Sequence, residues 1–178
     1  MRNLLILIVA VLIIAGSMYF FARETPAPAP FEGEKSTTQY TNGQYGLSFE
    51  YPSTYVLQEK EVGNGERMHY SIVLLDREWL ANIPEGGEGP PAISVDIFQN
   101  DIEQMKVEDW IRGTNFSNFK LSPDGNLSTT TVAGREAYTY RWDGLYQAES
   151  YVFSHKDNIV MFSVTFNAPE DQIRSEFS

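Results

Sequence analysis

Hydrophobic and polar positions divide this chain into three unlike stretches. Leu4 to Ala22 is nineteen residues without a charge. As a helix rising about 1.5 Å per residue it spans about 28 Å, close to the hydrocarbon thickness of a bilayer. Tyr19, Phe20 and Phe21 gather at one end, where interfacial rings sit. The pattern predicts a transmembrane signal-anchor helix over residues 1–23. A cleaved secretory signal starting at Arg2 is the competing reading, but its apolar core normally runs only about 7–15 residues. Arg2 precedes the span, and Arg23 and Lys35 follow it, so the basic residues leave orientation open. The short start and the globular remainder downstream predict a single-pass cell-membrane protein, N-terminus cytoplasmic and C-terminal domain extracytoplasmic.

Apolar periodicity stops at Glu24. Thr25 to Pro30 alternates proline, which favours extended polyproline II at about 3.1 Å per residue. Phe31 to Gln44 is polar and glycine-containing, so residues 24–44 read as a flexible stalk. A single globular domain, 45–178, follows. Leu47-Ser48-Phe49-Glu50-Tyr51 alternates and stops at Pro52, as a strand does. Tyr55–Val62, Met68–Leu75 and Ala92–Phe98 read as further strands, with a short helix over Arg77–Ile83. Val107, Trp110 and Ile111 recur at helical spacing before Gly113.

The last third carries the sharpest pattern. Arg135–Trp142 and Leu145–Ser154 flank Asp143-Gly144, a two-residue hairpin signal, and Ile159–Phe166 follows a four-residue turn. With those loop lengths one face carries Tyr138, Tyr140, Trp142, Leu145, Tyr151, Phe153, Val160, Phe162, Val164 and Phe166. The opposite face carries Ala137, Thr139, Ala148, Ser150, Ser163 and Thr165. Gln147 then falls opposite Tyr140, and Glu149 opposite Tyr138, both on the apolar face. A buried, ionised, unpaired carboxylate is costly, so Glu149 is expected to be partnered, hydrated at a pocket or protonated. Tyr138, Tyr140, Trp142, Gln147 and Glu149 are therefore the candidate ligand-binding residues. The plain alternative is a slipped register, or a position beyond the covered sheet. Ala168-Pro169-Glu170-Asp171 opens a closing helix, with Ile173 and Phe177 on its inner side.

Composition narrows the chemistry. The formal charge is −11, from 24 acidic and 13 basic side chains, which repels nucleic acid. Beyond Arg23 it is −13, 11 basic against 24 acidic, a charge that suits a basic protein partner better than anionic headgroups. Without cysteine there are no disulfides, thiolate metal sites or thiol nucleophiles, and the two histidines, His69 and His155, cannot build a multi-histidine centre. No metal or cofactor is expected. The Pro84–Pro91 loop has glycines but no lysine, and its two glutamates repel phosphate. Asp124-Gly125-Asn126 opens like a calcium loop, but its twelfth position is Arg135, so a plain turn is expected. Asp101, Glu103, Glu108 and Asp109 read as the solvated, dipole-favoured start of a helix.

Three segments, in order, resemble the PsbP-like family, of the membrane-anchored bacterial type. Tyr45-Gly46-Leu47-Ser48-Phe49-Glu50-Tyr51-Pro52 is similar to its opening strand. Val107-Glu108-Asp109-Trp110-Ile111 is similar to its mid-chain helix. Val132-Ala133-Gly134-Arg135-Glu136-Ala137-Tyr138 resembles its entry to the final strands. The resemblance spans Tyr45 to Ser178 and implies an α+β fold, an α/β/α sandwich with a central, mostly antiparallel sheet. Members of that family, among them the extrinsic photosystem II protein and a Ran-binding nuclear transport factor, are binding or assembly proteins without shared catalytic residues. The expected function is thus a non-catalytic, membrane-tethered extracytoplasmic binding domain with an envelope protein partner. A small-molecule receptor using the aromatic face is the second reading, and a hydrolase working through His69 or His155 the third.

Overall fold

In the computed structural model, residues 36–63, 69–83, 85–100 and 104–177 are described. The expected anchor at 4–22 and the proline-rich part of the stalk lie outside them. No helix among the described residues is long and apolar enough to cross a membrane.

Among the described residues, nine strands and three short helices follow in order: β1 Thr37–Asn42, β2 Leu47–Pro52, β3 Tyr55–Val62, β4 His69–Asp76, α1 Arg77–Ala81, β5 Ala92–Gln99, α2 Val107–Gly113, β6 Ser128–Val132, β7 Arg135–Asp143, β8 Gln147–His155, β9 Asn158–Phe166 and α3 Gln172–Phe177. A 3-10 turn, Phe119–Leu121, lies between α2 and β6. Strands β3 to β9 form one seven-stranded sheet in the order β3-β4-β5-β9-β8-β7-β6. All neighbours are antiparallel. Two meanders, β3 to β5 and β6 to β9, are thus joined where the last strand pairs with β5. β1 and β2 form a separate ribbon.

Strand structure therefore begins earlier than the polar composition of the segment suggests. Thr37 to Asn42 pair along the whole of β2, and the globular unit begins at Thr37 rather than Tyr45. Threonine-rich segments read as polar linker on a hydropathy scale, yet their β-branched side chains favour strand.

Period-two alternation places two cores on the two faces of the sheet. On the first, Phe98, Tyr140, Val152, Ile159 and Met161 pack with Trp110 and Ile111 of α2. On the second, Ile72, Val95, Ile97, Ala137, Phe153 and Val160 receive Tyr40, Leu47 and Phe49 from the ribbon. Tyr55, Leu74, Ile93, Val164 and Phe166 take Ile173 and Phe177 of α3 at its other end. Helices lie on both faces, as expected, but they are short. The ribbon covers much of the second face, so the three layers are less helical than an α/β/α sandwich.

Local chemistry sets the element ends. The Asp76 carboxylate caps α1 by accepting from the backbone N–H of Glu78 and Trp79 at 2.9 and 3.0 Å. β6 and β7 join through Ala133 and Gly134, both left-handed at φ 49° and 76°, the pair of conformations a type I′ hairpin needs. Asn100 staples the entry to α2, its amide nitrogen donating to the Met105 carbonyl and its amide oxygen accepting from the Met105 N–H, each at 2.9 Å.

The β7–β8 register departs from expectation. Asp143 pairs with Gln147, so the loop is Gly144-Leu145-Tyr146, three residues rather than two. Trp142 faces Ala148 and Tyr138 faces Val152, a shift by an odd number that turns β7 over relative to β8. Tyr138, Tyr140 and Trp142 thus lie on the α2 face, apart from Tyr151 and Phe153. The physical reason is volume. The Tyr140 and Trp142 rings of β7 are matched with Ser150 and Ala148, and the Tyr151 ring of β8 with Thr139, while Phe153 shares a cluster with Ala137; the expected register would crowd all of the rings together. The β8–β9 register holds: Ser154 faces Ile159, because the turn tightens to Lys156-Asp157 without changing parity.

Candidate functional site

The five residues singled out as a ligand face do not converge. Tyr140 is only 4% exposed, its hydroxyl donating to the Ser117 carbonyl at 2.6 Å and its ring meeting Phe119 edge-on. Burial raises its phenol pKa, with the hydrogen bonds pulling the other way. Trp142 donates from Nε1 to Ser150 Oγ at 2.9 Å, and Tyr138 packs against the α2 cluster. Tyr140 is core, and Tyr138 and Trp142 are half-buried against it. Gln147 is exposed, beside a hollow of about 180 Å³ with Leu145, Tyr146 and Phe166. Glu149 lies on the opposite face of the sheet, opposite Arg141 in register.

Glu149 is partnered there. Its Oε2 accepts from Arg174 Nη2 at 3.1 Å and from Nε at 3.3 Å, while Oε1 accepts from the Tyr151 hydroxyl at 2.9 Å. The Arg174 guanidinium also donates to the Pro169 carbonyl at 3.2 Å and lies 5.3 Å from the centre of the Phe166 ring. Together α3 and the end of β8 enclose an open cleft of about 440 Å³, lined by Glu149, Tyr151, Arg174 and Phe177 among others. Burial, then the Glu149 bond, raises the Tyr151 phenol.

A second groove runs along the other side of α3, about 160 Å³, with Tyr55, Trp79, Pro91 and Ile173 as its apolar lining. The Tyr55 hydroxyl donates to Glu176 Oε2 at 2.7 Å; burial and that bond push its pKa up. Gln172 donates to the other oxygen of Glu176 at 2.7 Å. Asp171 accepts from the backbone N–H of Asn167 and Ala168. Trp79 stands outward on α1, 52% exposed.

A third polar cluster lies on the outer strand β3. Tyr40 and Tyr70 both donate to Glu59 Oε1, and Asn42 donates to the Tyr40 oxygen at 3.1 Å. The two phenols hold the Glu59 carboxyl below the usual carboxylate range.

Neither histidine is hydrogen-bonded to a serine or threonine hydroxyl among the described residues. His69 Nε2 is 3.4 Å from Asp96 Oδ1, its ring stacked on Phe98 at 4.5 Å. Ser94 donates to the same Asp96, at 3.0 Å to Oδ2, so the carboxylate stands between serine and imidazole. A hydrolytic triad needs the imidazole in the middle. His155 packs its ring nitrogen against the β1–β2 turn at Gly46. Asp124 holds a plain turn, accepting from Ser122 and from the Asn126 N–H. Glu108 pairs with Arg112 on the solvated side of α2 at 3.0 Å. Asp101 and Glu103 lie outside the described residues, and no group of three or more potential ligands that could hold a metal occurs among those described.

Arg174, Tyr55 and Trp79 are absent from the sequence reading of a site. Arg174 left one usable signal: it adjoins Ile173 on the closing helix, and a carboxylate buried in the last strands calls for a cation. Trp79 left none, since an aromatic in a short helix reads as core.

No family model matches the sequence, and no curated protein matches it. The solution structure of cyanobacterial PsbP (CyanoP) from Synechocystis sp. PCC 6803 is similar to this fold at a TM-score of 0.51 and 16% identity, over 86% of this chain and 94% of that one. The fold is PsbP-like.

Proposed function

We propose that this PsbP-like fold serves as a non-catalytic binding and assembly domain, tethered through residues 4–22 on the extracytoplasmic side of a cell membrane, where it engages an envelope protein partner. What carries this reading is the pairing of the polar groups at the open surfaces. Glu149 is tied to Arg174 and Tyr151, Glu176 to Tyr55 and Gln172, and Asp171 to two backbone N–H groups. Internal donors orient these carboxylates, and each keeps its charge and spare acceptor capacity at the surface, so the surface offers a partner shape, rings and charge. The charge of −13 beyond Arg23 favours a basic partner and opposes anionic lipid and nucleic acid.

The test is capture of a tagged full chain from detergent-solubilised membranes. A stoichiometric partner that salt releases is the expected result. Capture of nothing under mild crosslinking overturns the assembly role. Protease added to intact, wall-stripped cells is expected to remove the domain, and full protection overturns the topology. The cleft beside Glu149 and Phe177 favours a second reading, a small-molecule receptor, since about 440 Å³ falls within the range of ligand pockets, about 300–1,000 Å³.

A further inference from the structure

The groove beneath Trp79 points to the chemistry of the partner. α1 has five residues, and the Asp76 cap bonds the backbone N–H of Trp79 itself, so the main chain that carries the indole is fixed beside the groove. Leaving half of the largest apolar side chain in water is unfavourable for the isolated chain. Its floor, Tyr55, Pro91 and Ile173, is apolar, and its rim is Asp76, Asp171 and Glu176. No lysine or arginine is among the described lining residues.

We propose that this groove docks one arginine or lysine side chain from an extended segment of a partner protein. Charge complementarity selects that occupant. An acidic side chain meets three carboxylates, and an aliphatic one strips water from them without replacing it. A long basic side chain does neither: its methylenes lie on Tyr55 and Ile173, and its cation sits over the Trp79 ring and beside the rim. Size agrees, since about 160 Å³ is well below the roughly 300–1,000 Å³ of small-molecule pockets but takes a single long side chain. The inference rests on the reading of the domain as a binding module and adds what it binds.

The experiment is fluorescence anisotropy of a fluorescein-labelled tri-arginine peptide titrated with the full chain in detergent. Saturable, salt-sensitive binding is expected. Trp79→Leu should weaken it about 2–5-fold, the range of a partly exposed cation–π contact, and Trp79→Phe by less. Glu176→Gln, which keeps an acceptor for Tyr55, should weaken it too, and Glu136→Gln, an equal charge loss on β7, should not. No binding, equal binding by Trp79→Leu, or equal losses in Glu176→Gln and Glu136→Gln each overturn the groove. Partner capture is a separate readout. A partner retained by Trp79→Leu as well as by the wild type removes the groove and leaves the binding role standing.

Discussion

Arg174 of α3 reaches back to Glu149 of β8, with Nη2 3.1 Å from Oε2 and both side chains mostly shielded, at 27% and 18% exposure. The closing helix has only six residues and two apolar anchors, Ile173 and Phe177. An isolated helix of that length is not stable, so its seat depends on tertiary contacts of this kind. Glu149→Gln is expected to cost about 1–2 kcal/mol, between an exposed pair and a buried charged hydrogen bond. Urea unfolding measures it as a lowered midpoint at constant slope. An unchanged midpoint would mean the pair is ornamental.

The β7–β8 register makes a sharper prediction. Ser150 is fully buried, bonded to Trp142 and 2.8 Å from Ser163 Oγ, whereas Gln147 is exposed. Ser150→Leu should cost at least about 2 kcal/mol through overpacking. Gln147→Leu should stay within about 0.5 kcal/mol. A two-residue turn would put Gln147 opposite Tyr140 and reverse the ranking, which makes the pair of variants decisive.

Gly46 has φ of +70°, and a Cβ there would sit 3.3 Å from His155 Nε2 and 2.7 Å from Lys156 Nζ. The lysine end swings away easily, so the backbone sets most of the cost. Gly46→Ala should lose about 1–2 kcal/mol. Adding Lys156→Ala should recover little of it; full recovery in a thermal melt would locate the penalty in the lysine instead.

Acid and alkali should act through different groups. The bonds from Tyr40 and Tyr70 depress the folded pKa of Glu59 below its ordinary 4.5. A depressed carboxyl stabilises the fold fully above its unfolded value, and that contribution disappears as pH falls through the folded one. Removing both phenols, Tyr40→Phe with Tyr70→Phe, should therefore flatten the acid limb of a midpoint-against-pH curve. Tyr140 has the opposite sign. Burial raises its pKa above 10.0, so its contribution is whole below that value and fades as alkali ionises the unfolded chain. Phenolate absorbance of the native protein should lag that of the urea-unfolded chain; coincident titrations would contradict the burial.

Strands with apolar alternation were legible in the sequence. Leu47-Phe49-Tyr51 of β2 and Val160-Phe162-Val164-Phe166 of β9 each mark one face, and the structure buries or half-buries those faces. β1 and β6 were not legible, because Thr-rich segments such as Ser128-Thr129-Thr130-Thr131 carry no hydropathy contrast to read. Parity failed at Asp143-Gly144 for a related reason. A strong turn dipeptide places a turn, but loop length is settled by how rings and small residues share a face. Of the fates expected for Glu149 (partnered, hydrated or protonated), the structure has the first, in a register that slipped as the plain alternative allowed. Arg174 lies 25 residues further on, and nothing local connects it to Glu149.

β9 closes the sheet from within: the last strand in chain order is also a central one, and β5 waits for it across the whole of β6, β7 and β8. Pairings so distant along the chain raise contact order and slow folding. During synthesis from the N-terminal end, the first meander keeps an unzipped edge, with Val95 and Ile97 on one side and Phe98 on the other, until residues 158–166 arrive. The domain is therefore assembled late and all at once, and until then its half-made sheet depends on speed, or on a chaperone, to escape pairing with a stranger.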